Sequence, residues 1–276
     1  MHNRKGKQKK IKVQHAQKGE GNMSKKIIPI LQCRQLEDAP LSRWVYRYPD
    51  TGETVRLCFG FCAVKTETET ILVDCGLAVD EELQAMNGNI ISFAENERSF
   101  TEILAEKGIQ AEEVTKVILT HLHWDHAWNV DKLPHAVFYV QRKELEHAVA
   151  PYEMERPHYG YKPVKGFENP PFTRVLHRTI PLDGSAEIVP GIRVIPTPGH
   201  TVGSQSVLID TGTEEGTYAI IGDLSNLKKG YEEGYLPAYY YSLGDCYESR
   251  ERVEKEHAKI ICVHDPETYT HAFFGK

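Results

Sequence analysis

The sequence predicts a mixed α and β fold, and three observations carry that prediction. Apolar, β-branched runs of strand length recur along the chain, and a strand series followed by helical segments occurs twice. Several of those runs end directly in His or Asp, as functional loops at strand ends of such folds do. The composition, 40% hydrophobic and 26% charged over 276 residues, is that of a globular chain with one large or two small domains.

Taken in order, residues 27–35 read as a strand. Strands at 43–48 and 55–65 follow, joined by Pro49-Asp50-Thr51-Gly52, a hairpin-type turn sequence. Residues 70–74 form another strand, and 81–97 a polar connection. A helix at 100–107 is stopped by Gly108. A short helical turn at 111–114 precedes a strand at 117–120. Then come a strand at 136–140, a helix at 142–148, and a long Pro-, Tyr- and Gly-rich loop over 150–172. Strands are expected at 173–177, 186–189, 192–195, 204–209 and 218–221. A last helix at 246–257 leads into a last strand at 259–263.

Charge and cysteine usage narrow the setting. Residues 1–26 hold nine Lys/Arg against the single acid Glu20, so the body carries −14 of a formal total of −6. The tail, polar and without an apolar core, is expected to be a disordered extension, with 27–276 as one domain. It is no secretory signal, and Met23-Ser24-Lys25-Lys26 resembles a start. An acidic body disfavours a nucleic-acid partner, because phosphate binding needs positive surface. No apolar run approaches eighteen residues, which disfavours a membrane span. The six cysteines form no C-x-x-C pair and lie mostly in apolar runs, fitting free thiols in a reduced, cytoplasmic setting.

The most informative stretch is Thr120-His121-Leu122-His123-Trp124-Asp125-His126, directly after Val117-Ile118-Leu119. In an extended chain His121 and His123 project to one side, because side chains alternate with period two. A turn then lets Asp125 and His126 face a second point. One loop can therefore feed two metals, and imidazole with carboxylate suits zinc or a similar ion. Downstream, Pro196-Thr197-Pro198-Gly199-His200, Ile220-Ile221-Gly222-Asp223 and Cys262-Val263-His264 each end an apolar run in a potential ligand. Gly199 and Gly203 flank His200 and suit tight turns.

On these residues the chain, from about Ile27 to its end, resembles the metallo-β-lactamase superfamily of metallohydrolases. Val73-Asp74-Cys75-Gly76 matches the family's early Asp-x-Gly. The spacing is most similar to the N-acyl homoserine lactonase branch, whose members open the lactone ring of bacterial signals. The resemblance implies an α/β, four-layer αβ/βα sandwich, where propensity alone says only mixed α and β. It implies two divalent metals, zinc first, with iron, manganese or cobalt as the other candidates. His121, His123 and His200 would hold one, Asp125, His126 and His264 the other, and Asp223 would bridge them. A hydroxide between the metals would attack the ester carbonyl of a small-molecule lactone. Asp125 would orient it and hand a proton to the leaving alkoxide. Asp74 is then a candidate acceptor for a ligand's second N–H, or an ordinary strand-end Asp in a turn.

One position departs from the branch. A Tyr usually stands three residues after the bridging Asp, and here Asp223-Leu224-Ser225-Asn226 supplies Asn. Asn226 can donate to an oxyanion in that place, or cap the next segment. Tyr152, Tyr159, Tyr161 and Phe167, and then Tyr231, Tyr235 and Tyr239 to Tyr241, are expected to divide between cavity walls and packing or a homodimer contact. Other activities on this fold, on thioester, β-lactam or phosphodiester, are the alternatives, as is a non-catalytic metal-binding protein. A β-lactamase of this type carries Cys at the bridging position, and a glyoxalase II carries a C-terminal helical domain. Only twelve residues follow His264.

Overall fold

The computed structural model describes residues 24–35, 37–78, 93–94, 99–161 and 169–276. Residues 1–23 of the basic tail, most of the polar connection and Phe167 lie outside the described residues, while Lys26, the last residue of the expected tail, already begins the first strand. The strands are β1 (Lys26–Gln35), β2 (Ala39–Pro40), β3 (Thr54–Val55), β4 (Cys58–Lys65), β5 (Thr70–Val73), β6 (Phe93–Ala94), β7 (Val114–Ile118), β8 (Val137–Gln141) and β9 (Thr179–Leu182). They continue as β10 (Ala186–Val189), β11 (Ile192–Pro196), β12 (Gln205–Asp210), β13 (Thr217–Ile220) and β14 (Lys259–Ile261). The α-helices are α1 (Phe100–Glu106), α2 (Trp124–Ala127), α3 (Arg142–Val149), α4 (Lys228–Glu232) and α5 (Leu243–Glu254).

Two mixed sheets form, ordered β6-β1-β4-β5-β7-β8-β9 and β10-β11-β12-β13-β14. The period-two alternation of their strands sorts side chains into layers. Cys62, Val64, Ile71, Val73 and Ile118 of the first sheet meet Val194, Val207, Ile209 and Ile220 of the second. The alternate residues Phe61, Ala63, Leu72 and Val117 pack with Phe100, Ile103 and Leu104 of α1. On the far face of the second sheet, Ile195, Leu208 and Ala219 pack with Cys246 and Val253 of α5. Strands buried on both faces read as continuous apolar runs, which is why β4, β5 and β12 are so apolar. The result is the four-layer arrangement that the resemblance implied.

Three expectations about elements need correction. Residues 43–48 are not a strand: a 3₁₀ turn at Leu41–Arg43 leads into a compact segment. Trp44 and Val45 both donate backbone N–H bonds to Leu41 O, and Trp44, Val45 and Tyr48 turn into one apolar cluster. The Pro49 to Gly52 turn joins β2 to β3 instead. Residues 173–177 are also no strand but lie in a 3₁₀ helix, Pro171–Arg178. Phe172 and Val175, three apart, are buried together with Pro171, so the helical period prevailed over an apparent alternation. The strand is β9 just beyond, at a sheet edge, where a proline such as Pro181 is tolerated.

The last helix starts at Leu243, earlier than expected, because Ser242 caps it by accepting from Asp245 N at 3.3 Å. No helix among the described residues is long and apolar enough to cross a membrane.

All six cysteines are buried and free. Burial pushes the Cys58 thiol up to about 11 and that of Cys246 up to about 12. Burial likewise lifts the Tyr231 phenol to about 12. Unfolded, these groups ionise at their ordinary values, so above about pH 8.5 the unfolded chain sheds protons that the native one keeps. Stability should therefore fall as pH rises through this window, by up to about 1.4 kcal/mol per pH unit for each such group. Chemical denaturation between pH 7.5 and 10.5 checks it; a flat profile refutes it.

Candidate metal centre

Sheet topology assembles the candidate ligands. β5 and β7 are parallel neighbours, with Val73 opposite Ile118, so Asp74 and Thr120 emerge side by side. β13 and β14 are parallel with Ile220 opposite Ile261, which sets Asp223 and His264 together. His200 arrives on the loop between β11 and β12. That loop closes by Thr197 N donating to Ser204 O, and docks on the first sheet through Gln205 N donating to Thr120 O, both at 2.8 Å.

All seven expected ligands meet in one place. His121, His123 and His200 form one group and Asp125, His126 and His264 another, each with donor atoms within 4.8 Å of one another. A third group joins His121 and His126 to Asp223. Asp223 faces both sides. Its Oδ1 lies 3.1 Å from His126 Nε2 and 3.1 Å from His264 Nε2, and its Oδ2 lies 3.4 Å from His200 Nε2. Asp125 Oδ2 lies 3.6 Å and 3.7 Å from His126 Nε2 and His264 Nε2.

The outward nitrogens of four of the histidines are engaged by acceptors. His126 Nδ1 meets Asp74 Oδ2, His264 Nδ1 meets Cys58 O, and His200 Nδ1 meets Tyr239 O, each at 2.8 Å. His121 Nδ1 meets Thr120 Oγ1 at 3.1 Å. A carbonyl or carboxylate can only accept, so each of those three rings holds its proton outward and turns a lone pair inward. Asp74 also accepts from Thr120 N at 2.7 Å and Thr120 Oγ1 at 2.9 Å. It adopts φ +62°, a left-handed conformation that Asp tolerates better than most residues.

The inward face has what a cation would satisfy. His200 Nε2 sits 3.0 Å from His123 Nδ1, and His264 Nε2 sits 3.3 Å from His126 Nε2. Lone pairs facing at such distances require a proton or a metal between them. The buried His121 Nε2 has no hydrogen-bond partner. The donor set therefore fits two borderline cations with mixed N/O ligands.

Electrostatics divides the groups. Burial, reinforced by neighbouring imidazoles, holds His121 and His123 well below the usual histidine range. Burial opposes protonation of His126 and His264 too, but Asp223 and Asp125 outweigh it and raise both. Burial would raise Asp223, yet His264, His126 and His200 hold it well below the carboxylate range.

The centre forms the floor of a cavity of about 350 Å³. Its walls are aromatic: Trp44, Phe59, Trp124 and Tyr239 to Tyr241, with Met154 at the mouth. Tyr152 stacks on Tyr241 at 6.3 Å. The other expected wall residues pack instead. Tyr231 and Tyr235 belong to apolar clusters, and Tyr161 donates to Ala148 O at 2.8 Å. Asn226 lines the cavity, and its amide makes no hydrogen bond among the described residues. It does not cap the next helix: Leu227 holds the N-cap position of α4, and Lys228 N donates to Asp265 Oδ2 at 2.8 Å.

Several contributors escaped the sequence reading. Trp44, Phe59 and Trp124 look like core residues in sequence, and their place at the cavity comes from the packing of β4, α2 and the segment after the 3₁₀ turn into one cluster. Glu144 was also missed, although a carboxylate four residues before the buried Ala148 on the inner face of α3 was a readable signal. Gly199, at φ +140°, and Gly203 lie where the chain turns, as expected, and both also allow a close approach: a Cβ would lie 2.5 Å from Cys246 N at the first and 2.2 Å from Glu144 N at the second. Cys75 and Cys262 belong to none of the three ligand groups.

Known proteins resemble this chain in sequence and in fold. An N-acyl homoserine lactonase of Bacillus thuringiensis is 29% identical over 232 residues, covering 78% of this chain and 84% of the relative. One from Rhizobium radiobacter is 26% identical over 176 residues, covering 59% and 62%. Among solved structures, an N-acyl homoserine lactone hydrolase with the product N-hexanoyl-L-homoserine at its catalytic metal centre superposes with a TM-score of 0.71. It has 25% identity, over 90% of this chain and 96% of that one. The family model of the metallo-beta-lactamase superfamily matches residues 56–264, a span that takes in all seven clustered candidate ligands as well as Asp74, and the chain belongs to that superfamily.

Proposed function

We propose that this protein is a dinuclear metal-dependent hydrolase that opens the ester bond of a lactone of the N-acyl homoserine lactone type. The observation that carries the proposal is Asp223, whose two oxygens face two separate histidine groups at the floor of an aromatic cavity. The similarity to lactonases supports the substrate class. Two divalent ions, zinc first, would supply Lewis acidity to the carbonyl and lower the pKa of water.

The chain's own groups do the rest. Asp223 ties the two histidine groups at a set separation. Asp125 has a partly exposed carboxylate facing the cavity, from which it can take the proton of the attacking water and return it to the leaving alkoxide. Asn226 offers an unengaged amide N–H to the oxyanion of the tetrahedral intermediate, in place of a tyrosine hydroxyl. The aromatic walls exclude water and suit an amphiphilic acyl group.

The test is a panel of lactones, a β-lactam, a thioester and a phosphodiester against metal-replete protein, with elemental analysis alongside. About two metals per chain and a preference for lactones are expected. Turnover of another class in place of lactones sinks the substrate claim, and a folded protein with no metal sinks the dinuclear one. In the same assay Asn226→Ala should lower kcat by up to about 10²-fold, the scale of one lost oxyanion contact, with metal content intact. An unchanged kcat removes Asn226 from the chemistry.

A further inference from the structure

Glu144 is a fully buried carboxylate that belongs to none of the candidate ligand groups. It projects from the first turn of α3, and each of its oxygens accepts two hydrogen bonds. Oε1 accepts from Leu122 N at 3.0 Å and Tyr159 OH at 3.3 Å. Oε2 accepts from Thr201 Oγ1 at 2.7 Å and Gly203 N at 3.0 Å. An ionised carboxylate offers about four acceptor positions, so its capacity is filled.

The donors are not scattered. Leu122 is the residue between His121 and His123, Thr201 follows His200, and the Tyr159 ring packs edge-on against His123 with centroids 4.9 Å apart. All three members of one histidine group thus sit beside a segment anchored on this single side chain. The other group has separate anchors, Asp74 for His126 and Cys58 O for His264. The close approach is built in, because any side chain at 203 would run into the backbone of Glu144.

Resting on the dinuclear reading above, we infer that Glu144 is a positioning residue that sets the spacing of His121, His123 and His200, and so controls the affinity and geometry of that one metal site. Its action is selective because its bonds reach residues directly beside this group's histidines, and none reaches a residue next to His126 or His264. A glutamine cannot replace it. Each oxygen faces a backbone N–H that cannot turn away, so either amide orientation sets an NH₂ against a donor.

The experiment is titration of metal-free full-length protein with Co²⁺, followed by visible absorption and elemental analysis. Two Co²⁺ per chain are expected for the parent. E144Q should bind one Co²⁺ as the parent does and the other about 10- to 100-fold more weakly, with an altered absorption band, the scale on which groups behind metal ligands act. T201V, which removes one of the four bonds, should show a smaller loss at the same site, and T201S should restore it. Should E144Q not fold, the T201V and T201S pair decides alone. Parent-like binding of both ions by E144Q, or by T201V where E144Q does not fold, overturns this inference while leaving the functional reading intact. Equal weakening of both sites overturns it too, since that marks general loosening. A parent that binds no Co²⁺ overturns both.

Discussion

Asp223→Ala should lower lactone turnover by at least about 10²- to 10³-fold, beyond the loss of a single oxyanion contact, because it removes the group that ties the two halves of the centre. Oδ1 serves His126 and His264 while Oδ2 serves His200, so both halves lose a carboxylate oxygen at once. The substitution also leaves His126 and His264 without the carboxylate that most strongly raises their proton affinity. Metal content should drop at both sites. His264→Ala makes the contrast, since His264 belongs to one ligand group only and should mainly empty that one. Elemental analysis beside steady-state kinetics separates the two patterns. Near-normal turnover by Asp223→Ala would overturn the assignment.

The second large effect is expected at Asp74. Its carboxylate takes three buried donors, Thr120 N, Thr120 Oγ1 and His126 Nδ1. Alanine leaves all three unpaired, and each buried orphan costs about 1–3 kcal/mol. It also puts a residue poorly suited to left-handed backbone at φ +62°. Asp74→Ala should therefore lower the unfolding free energy by several kcal/mol, a large share of a domain's stability. Asp74→Asn is the cleaner probe of function. It keeps the left-handed preference but turns an amide N–H toward a donor. It should fold, while metal at the His126 site weakens about 10- to 100-fold. Denaturation curves and metal titrations read the two effects separately. A stable Asp74→Ala that retains full metal would leave Asp74 as only a turn residue.

Glu144 and Asp74 play parallel parts from opposite sides. Each is fully buried, and each gathers backbone and side-chain donors from the loops that carry the histidines. Asp74 was legible because it ends an apolar run in a recognisable Asp-x-Gly. Glu144 was legible only as an inward-facing carboxylate one turn before Ala148, since its partners lie 15, 22, 57 and 59 residues away in sequence. No local pattern reports a donor that arrives from another sheet.

The sequence by itself determined which residues can bind metal, in what order they occur, and that each follows a strand. A strand end is a local feature, written in a short apolar run and the polar residues after it. It also determined the alternation that sorts strand residues between the layers, because period two is a property of the backbone. Tertiary structure alone decided the rest. Asp223 faces two groups because β13 pairs with β14 in parallel and the two sheets pack face to face. Asn226 is left unengaged because Asp265, 37 residues from the start of α4, bonds that helix's N-terminus. Residues 43–48 became a compact turn, and not a strand, because Trp44, Val45 and Tyr48 find a common apolar cluster with Leu57 and Leu227. Burial against distant partners outweighs the local preference of aromatic and β-branched side chains for a strand.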